Sequence, residues 1–222
     1  AGTGRFAFSH RLDRPGTLTV RVEVAGVQGA AHALKVLPGR VGRGSGRTSV
    51  DLLQQRLRAM GYVVGRRGRY DARTARAVLA FRKVTGMART SRASGAVMRR
   101  IARGGGSFRV RRPGLGRHIE ADLSRQVIAL IDRGRVQRIY PTSTGAPSTR
   151  TIRGSFRVYR KDAGTNALGM VHSSYFIRGY AIHGFSSVPI YPASHGCLRV
   201  PIPDALSLFR WVRRGTPVVV YA

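Results

Sequence analysis

The 222-residue sequence predicts a multidomain protein. Its expected parts are an N-terminal β segment (residues 1–40), a small three-helix domain (48–103) and a mainly-β domain carrying one C-terminal helix (113–222). Three observations predict this. Apolar residues alternate at period two near the start, recur at helical spacing from residue 50, and return to short strand-like runs after residue 116. Two Gly-rich breaks, at 39–48 and 103–107, separate the three regions. The apolar content of 42% supports folded cores rather than a disordered chain.

In the first region Leu18, Val20, Val22 and Val24 alternate with Thr19, Arg21 and Glu23, the pattern of a strand with one buried face. Pro15-Gly16 marks the turn before it. Two or three strands cannot bury a face alone, so this segment is expected to be part of an immunoglobulin-like sandwich or to pack on a neighbour.

In the second region Val50, Leu53, Leu57 and Met60 define a helix, with Gly61 placed to end it in the left-handed conformation. Asp71 is the expected N-cap of a second helix that buries Val78, Phe81 and Val84. A third short helix is expected over 96–102. The third region holds short strands expected at 119–123, 127–131, 136–140, 155–159, 175–177 and 180–182, with a hairpin turn at Asp132-Arg133-Gly134. Asp204 is read as the N-cap of the last helix, whose buried stripe is Ala205, Leu208, Phe209 and Val212. Gly215 ends that helix and 217–221 is the closing strand.

Charge narrows the functional classes. There are 40 basic residues against 9 acidic ones, a net charge of +31, and the basic residues are Arg except for Lys35, Lys83 and Lys161. Such a field attracts polyanions and makes binding salt-sensitive. Nucleic acid is the first partner to weigh. However, the arginines are scattered, and the aromatics fall mainly at expected core positions rather than between basic stripes. An anionic wall matrix of carboxylates and phosphates fits the same charge, and no specific nucleic-acid partner is expected. No run of about 18 apolar residues occurs, so no membrane-spanning helix is expected. The start shows no initiator Met and no apolar signal core, as in a piece of a longer exported precursor or in a cytoplasmic fragment.

Cys197 is the sole cysteine, which excludes an intrachain disulfide. A lone cysteine is by default a small buried apolar residue, but its surroundings argue otherwise. The stretch from Ala181 to Pro201 places His183, His195 and Cys197 within fifteen residues. A thiol needs a base to become a nucleophile, and an imidazole within reach can take the proton, leaving a thiolate beside a cation. That imidazole needs a third group, a side chain or backbone carbonyl, to fix its tautomer. Gly196 permits a tight turn that aims backbone N–H groups at a developing oxyanion. Ser194 and Arg199 add polar contacts for a peptide carbonyl or carboxylate. Zinc ligation by His172, His183, His195 and Cys197 is the rival reading. The His-x-Cys spacing suits two ligands poorly, and no carboxylate lies nearby to act as base. No metal and no cofactor are assigned.

Two stretches resemble known families. Residues 50–87 are similar to the peptidoglycan-binding helical domain of wall enzymes through Leu53-Gln54, Leu57, Gly61-Tyr62, Asp71, Thr74, Ala77-Val78 and Phe81. Arg82 stands where that family usually has Gln. From about residue 116 onward the chain resembles the L,D-transpeptidase catalytic domain. Its marks are Ile182-His183-Gly184 and Ser194-His195-Gly196-Cys197-Leu198-Arg199, together with Ala121-Asp122-Leu123-Ser124, Gln126, Ser143-Thr144-Gly145, Thr151, Gly154 and Phe156. Ile152 replaces a usual Pro.

The resemblance implies an L,D-transpeptidase-like β-sandwich with Cys197 as nucleophile, His183 as base and the Gly184 carbonyl orienting the His183 ring. It further implies that His195 shapes the nucleophile loop, that Gly196 and Cys197 N–H groups receive the oxyanion, and that Arg199 engages the donor stem. Peptidoglycan stem peptides and glycan are the implied partners, acylation by carbapenems the implied inhibition, and an extracytoplasmic wall location the implied setting. The implied reaction is a thioester-mediated 3→3 cross-link. An L,D-carboxypeptidase on the same stems and a non-catalytic wall-binding module are the alternatives. His10, His32 and His118 are read as surface or strand residues.

Overall fold

A computed structural model describes residues 14–222, so His10 lies outside the described residues. The first region forms two small hairpins. β1 (Gly16–Val20) pairs antiparallel with β4 (His32–Val36), and β2 (Glu23–Val24) pairs with β3 (Val27–Gln28). The expected alternation therefore holds only to Val20. Val24 and Val27 are exposed, because among the described residues no second layer covers this hairpin. Its turn is Ala25-Gly26, both at positive φ, the mirror-type geometry that suits a two-residue hairpin.

Three helices follow: α1 (Arg47–Ala59), α2 (Ala72–Val84) and α3 (Gly95–Ala102). α1 ends at Gly61, whose φ of 90° places it in the region a Cβ disfavours, while Tyr62 N–H donates to the Leu57 carbonyl. Asp71 caps α2 as expected, its carboxylate accepting from Thr74 N–H at 2.8 Å. Val50, Leu53, Leu57, Val78, Phe81 and Val97 are buried together.

The remainder is a two-sheet sandwich. One sheet has five strands, ordered β7 (Arg135–Pro141), β6 (Val127–Asp132), β5 (His118–Asp122), β13 (Pro217–Tyr221) and β8 (Gly154–Arg157). The other has four, ordered β12 (Leu198–Pro201), β11 (Tyr180–Phe185), β10 (Val171–Ile177) and β9 (Arg160–Thr165). Strand β6 shows how the layers stack. Val127, Ala129 and Ile131 face the helices, whereas Ile128 and Leu130 join Phe176, Ile182 and Leu198 of the second sheet. A strand covered on both faces is apolar at successive positions, which is why this one reads as a continuous apolar run.

Two strands were not expected. β9 is polar and largely exposed at the edge of its sheet, so it carries no hydrophobic alternation. β12 is only four residues long and pairs parallel with β11 after a long crossover loop. The last helix, α4 (Ile202–Trp211), corrects another expectation. Pro201 occupies its N-cap position, and Asp204 lies inside the first turn. Asp204 is buried and engaged elsewhere: Arg73 and Arg76 of α2 stand 2.8 and 3.2 Å from its carboxylate. Phe209, placed in the buried stripe of that helix, is only half-buried.

Candidate active site

His183 is carried on β11, and Arg199 is its register partner on the parallel strand β12. The loop between these strands brings Ser194, His195, Gly196 and Cys197 back to the same end of the sheet. All the sequence-predicted side chains there meet in one cleft of about 520 Å³, whose walls include His183, Ser194, His195, Cys197 and Arg199. His195 is exposed at the cleft, while His183 is buried.

His183 Nδ1 lies 2.9 Å from the Gly184 carbonyl. A carbonyl can only accept, so Nδ1 carries the proton and Nε2 holds a free lone pair. Gly184 is required by packing: a Cβ there would sit 2.7 Å from the Ala205 Cβ and 3.2 Å from the Val171 Cβ. The Phe185 ring meets His183 edge-on at 5.6 Å, and the Arg199 guanidinium covers the same ring at 4.2 Å. Arg199 also donates to the Ala193 carbonyl at 3.2 Å.

The thiol of half-buried Cys197 accepts from Ala181 N–H at 3.5 Å and faces the Gly179 carbonyl at 3.9 Å. It makes no direct hydrogen bond to His183 in this conformation, although both line the cleft. Met170, Tyr175 and Ala181 form an apolar cluster against it. Burial therefore pushes the Cys197 thiol above its ordinary range, opposed by Ala181 N–H and the charge of Arg199. Burial likewise holds the His183 imidazole below its ordinary value, with the Gly184 carbonyl opposing and Arg199 reinforcing the shift. The sequence suggests a thiolate beside a cation. The apolar surroundings oppose both charges in the free protein, since burial disfavours the thiolate and the imidazolium alike.

The nucleophile loop is tied internally. Ser194 Oγ donates to the Cys197 carbonyl at 2.6 Å and accepts from Gly196 N–H at 3.1 Å. Both bonds are made by a buried hydroxyl at the cleft wall, so Ser194 holds the turn of the nucleophile loop. The same bond occupies Gly196 N–H, which leaves Cys197 N–H as the oxyanion candidate from the expected pair. Gly196 has a φ of 111°, and a Cβ there would come within 2.6 Å of the Tyr180 ring. Phe185 and Tyr180 are site residues that the sequence reading missed. Phe185 could have been found, because it lies two residues from His183 on one strand face. Tyr180 offered no local signal.

The other described histidines lie apart. His32 is exposed on β4, while His118 is buried on β5 against the Gly116 carbonyl and Glu120. His172 accepts from Gly164 N–H at 3.1 Å. Among the described residues, no three His, Cys, Asp or Glu side chains converge where they could hold a metal ion.

Fold and site together define a two-sheet β protein with a cysteine and a tautomer-fixed histidine sharing a cleft. Residues 116–220 match the family described as L,D-transpeptidase catalytic domain, and residues 46–101 match the putative peptidoglycan binding domain. An L,D-transpeptidase from Xylanimonas cellulosilytica is 32% identical, covering 85% of this chain and 100% of that one, with a TM-score of 0.74. One from Stackebrandtia nassauensis is 18% identical over 84% of this chain and 97% of that one, with a TM-score of 0.49. One from Mycobacterium smegmatis is 24% identical over 48% of this chain and 58% of that one, with a TM-score of 0.44. No curated protein sequence matches the chain. The chain belongs to the L,D-transpeptidase family.

Proposed function

We propose that this protein is a cysteine acyltransferase that forms 3→3 cross-links between peptidoglycan stem peptides outside the cytoplasm. The observation that carries the reading is the meeting of Cys197 and His183 in one cleft, with His183 Nδ1 bound to the Gly184 carbonyl. That bond turns Nε2 into the proton acceptor, the role a cysteine nucleophile requires of its partner. The proposal requires the Cys197 side chain to bring Sγ within reach of that nitrogen across the cleft the two residues share.

In the first half-reaction His183 Nε2 takes the Cys197 proton as Sγ attacks the carbonyl between the third stem residue and the terminal D-Ala. The oxyanion is received by backbone N–H, with Cys197 N–H the candidate donor. The tetrahedral intermediate collapses, the C–N bond breaks, and the imidazolium gives its proton to the departing D-Ala amine. The donor stem remains as a thioester. In the second half His183 accepts a proton from the amine of an acceptor stem as that nitrogen attacks the thioester. The C–S bond breaks, an amide forms, and the thiol is restored. Arg199, at the cleft wall, is the cation for the donor's carboxylate. The helical domain supplies contact with the wall, and the net charge of +31 suits anionic polymers there.

The test is intact mass after incubation with a carbapenem, whose strained lactam carbonyl can acylate a thiolate without an acceptor. One adduct on the wild type and none on Cys197→Ala is expected. Folded, reduced wild type that gains no mass would favour a wall-binding module. With a tetrapeptide stem and an acceptor amine, a joined product supports transfer, whereas loss of D-Ala alone would mean a carboxypeptidase.

A further inference from the structure

The residues that hold the Cys197 loop in place are themselves held from the helical domain. Lys83, on α2, is 3% exposed and is one of three lysines in an Arg-dominated chain. Its ammonium donates to the Gln126 carbonyl at 3.1 Å and to the Thr142 carbonyl at 2.9 Å. These two residues flank the open end of the β6–β7 hairpin, and Thr142 N–H also bonds the Gln126 carbonyl at 2.9 Å. Gln126 has a φ of 56°, an uncommon conformation for a residue with a side chain. Three hydrogen bonds thus converge on a strained corner, and Lys83 closes it.

The strip that leaves this corner, Thr142-Ser143-Thr144, bonds both ends of the nucleophile loop. At one end, the Thr144 carbonyl accepts from Ala193 N–H at 2.8 Å and Ser194 N–H at 2.9 Å. At the other, Ser143 N–H donates to the Arg199 carbonyl at 3.1 Å, Arg199 N–H returns a bond to Ser143 at 3.0 Å, and Thr142 Oγ1 adds a third at 2.7 Å. The Gln126 side chain grips Thr144 in turn, donating to its Oγ1 at 2.6 Å and accepting from its N–H at 3.0 Å. Cys197 sits between the two tied ends.

We propose that Lys83 is a positioning residue for catalysis: it locks the Thr142–Thr144 strip on which both ends of the Cys197 loop hang. This rests on Cys197 being the nucleophile. It also makes the helical domain part of the active-site framework as well as a wall-binding unit. A buried ammonium with two carbonyl partners and, among the described residues, no carboxylate is a costly choice for mere packing, which an apolar side chain of the same length would satisfy. Its value lies in fixing two carbonyls at once.

The test is the saturation kinetics of carbapenem acylation on the full chain, comparing wild type, Lys83→Met and Arg76→Met. Arg76→Met loosens the same docked helix at Asp204 without touching the strip, so it reports what weakened docking alone does. Lys83→Met is expected to slow the acylation step at least tenfold while the half-saturating concentration changes less than twofold, with Arg76→Met near wild type in both. An acylation step within twofold of wild type in folded Lys83→Met overturns the inference and leaves the proposed function standing. Wild type that is not acylated overturns both. Should Lys83→Met not fold, Gln126→Met interrupts the same relay at the Thr144 grip, and the same two outcomes decide.

Discussion

Arg199 and His183 face each other across the parallel β11–β12 pair and share the Phe185 ring, one over its face and the other at its edge. The ring therefore contacts both the cation and the base at the cleft. Phe185→Ala is expected to free both side chains. Acylation by a carbapenem should fall about 10- to 100-fold, the scale of a misplaced catalytic group. Stopped-flow acylation kinetics check this, and an unchanged rate would make the ring a bystander.

Removal of the base has a larger expected effect. His183→Ala should slow acylation by about 10²- to 10⁴-fold, the usual contribution of general base catalysis. His195→Ala should have a much smaller effect, since His195 is exposed and Nδ1 of His183 holds the orienting bond. The reverse ranking would reassign the base to His195.

The opposite effects of burial on Cys197 and His183 predict the pH profile of thiol alkylation. With the Cys197 thiol raised above its ordinary value by burial, the thiolate fraction grows only as pH climbs beyond about 8.5. Alkylation by iodoacetamide should rise through that range with no plateau near neutrality. Because the His183 imidazole is held below its usual value, acylation should lose its base only as pH falls below about 6.5. A flat alkylation rate from pH 6 to 8 would instead reveal a resting ion pair.

Gly184 and Ala205 should behave as one packing unit. Gly184→Ala forces a methyl to 2.7 Å from the Ala205 Cβ and should cost about 1–3 kcal/mol of stability by urea unfolding. Ala205→Gly in the same chain should recover part of that loss. A double mutant no more stable than the sum of the single effects would mean that the strain lies elsewhere.

Lys83 gives a pH dependence of stability with a definite sign. Burial, reinforced by the charge of Arg89, lowers its ammonium to about 7. The unfolded chain keeps the ordinary value of about 10.4, so between these limits the native state binds fewer protons than the unfolded one. The Lys83 contribution to stability therefore rises with pH across that window, by up to about 1.4 kcal/mol per pH unit, and is flat below it. Denaturant midpoints for wild type and Lys83→Met, compared from pH 6 to 10, isolate this slope. Identical slopes would show that the charge is not lost in the native state.

The sequence by itself determined most of the element order and the cysteine, histidines, serine and arginine of the cleft. Period and capping are local, so α1, α2 and the β6–β7 hairpin could be read from Leu53, Asp71 and Gly134 without knowing their neighbours. The close spacing of His183, His195 and Cys197 likewise marked the chemistry. Tertiary structure decided what depends on partners distant in the chain. Asp204 looked like a cap because a helix follows it, yet Arg73 and Arg76, more than a hundred residues earlier, claim its carboxylate. Ser194 looked like a ligand contact, and only the fold shows that its hydroxyl also ties the nucleophile loop from within. The burial of the Cys197 thiol and the reach of Lys83 were also invisible, because desolvation and hydrogen-bond supply are set by which surfaces meet, and a sequence lists no surfaces.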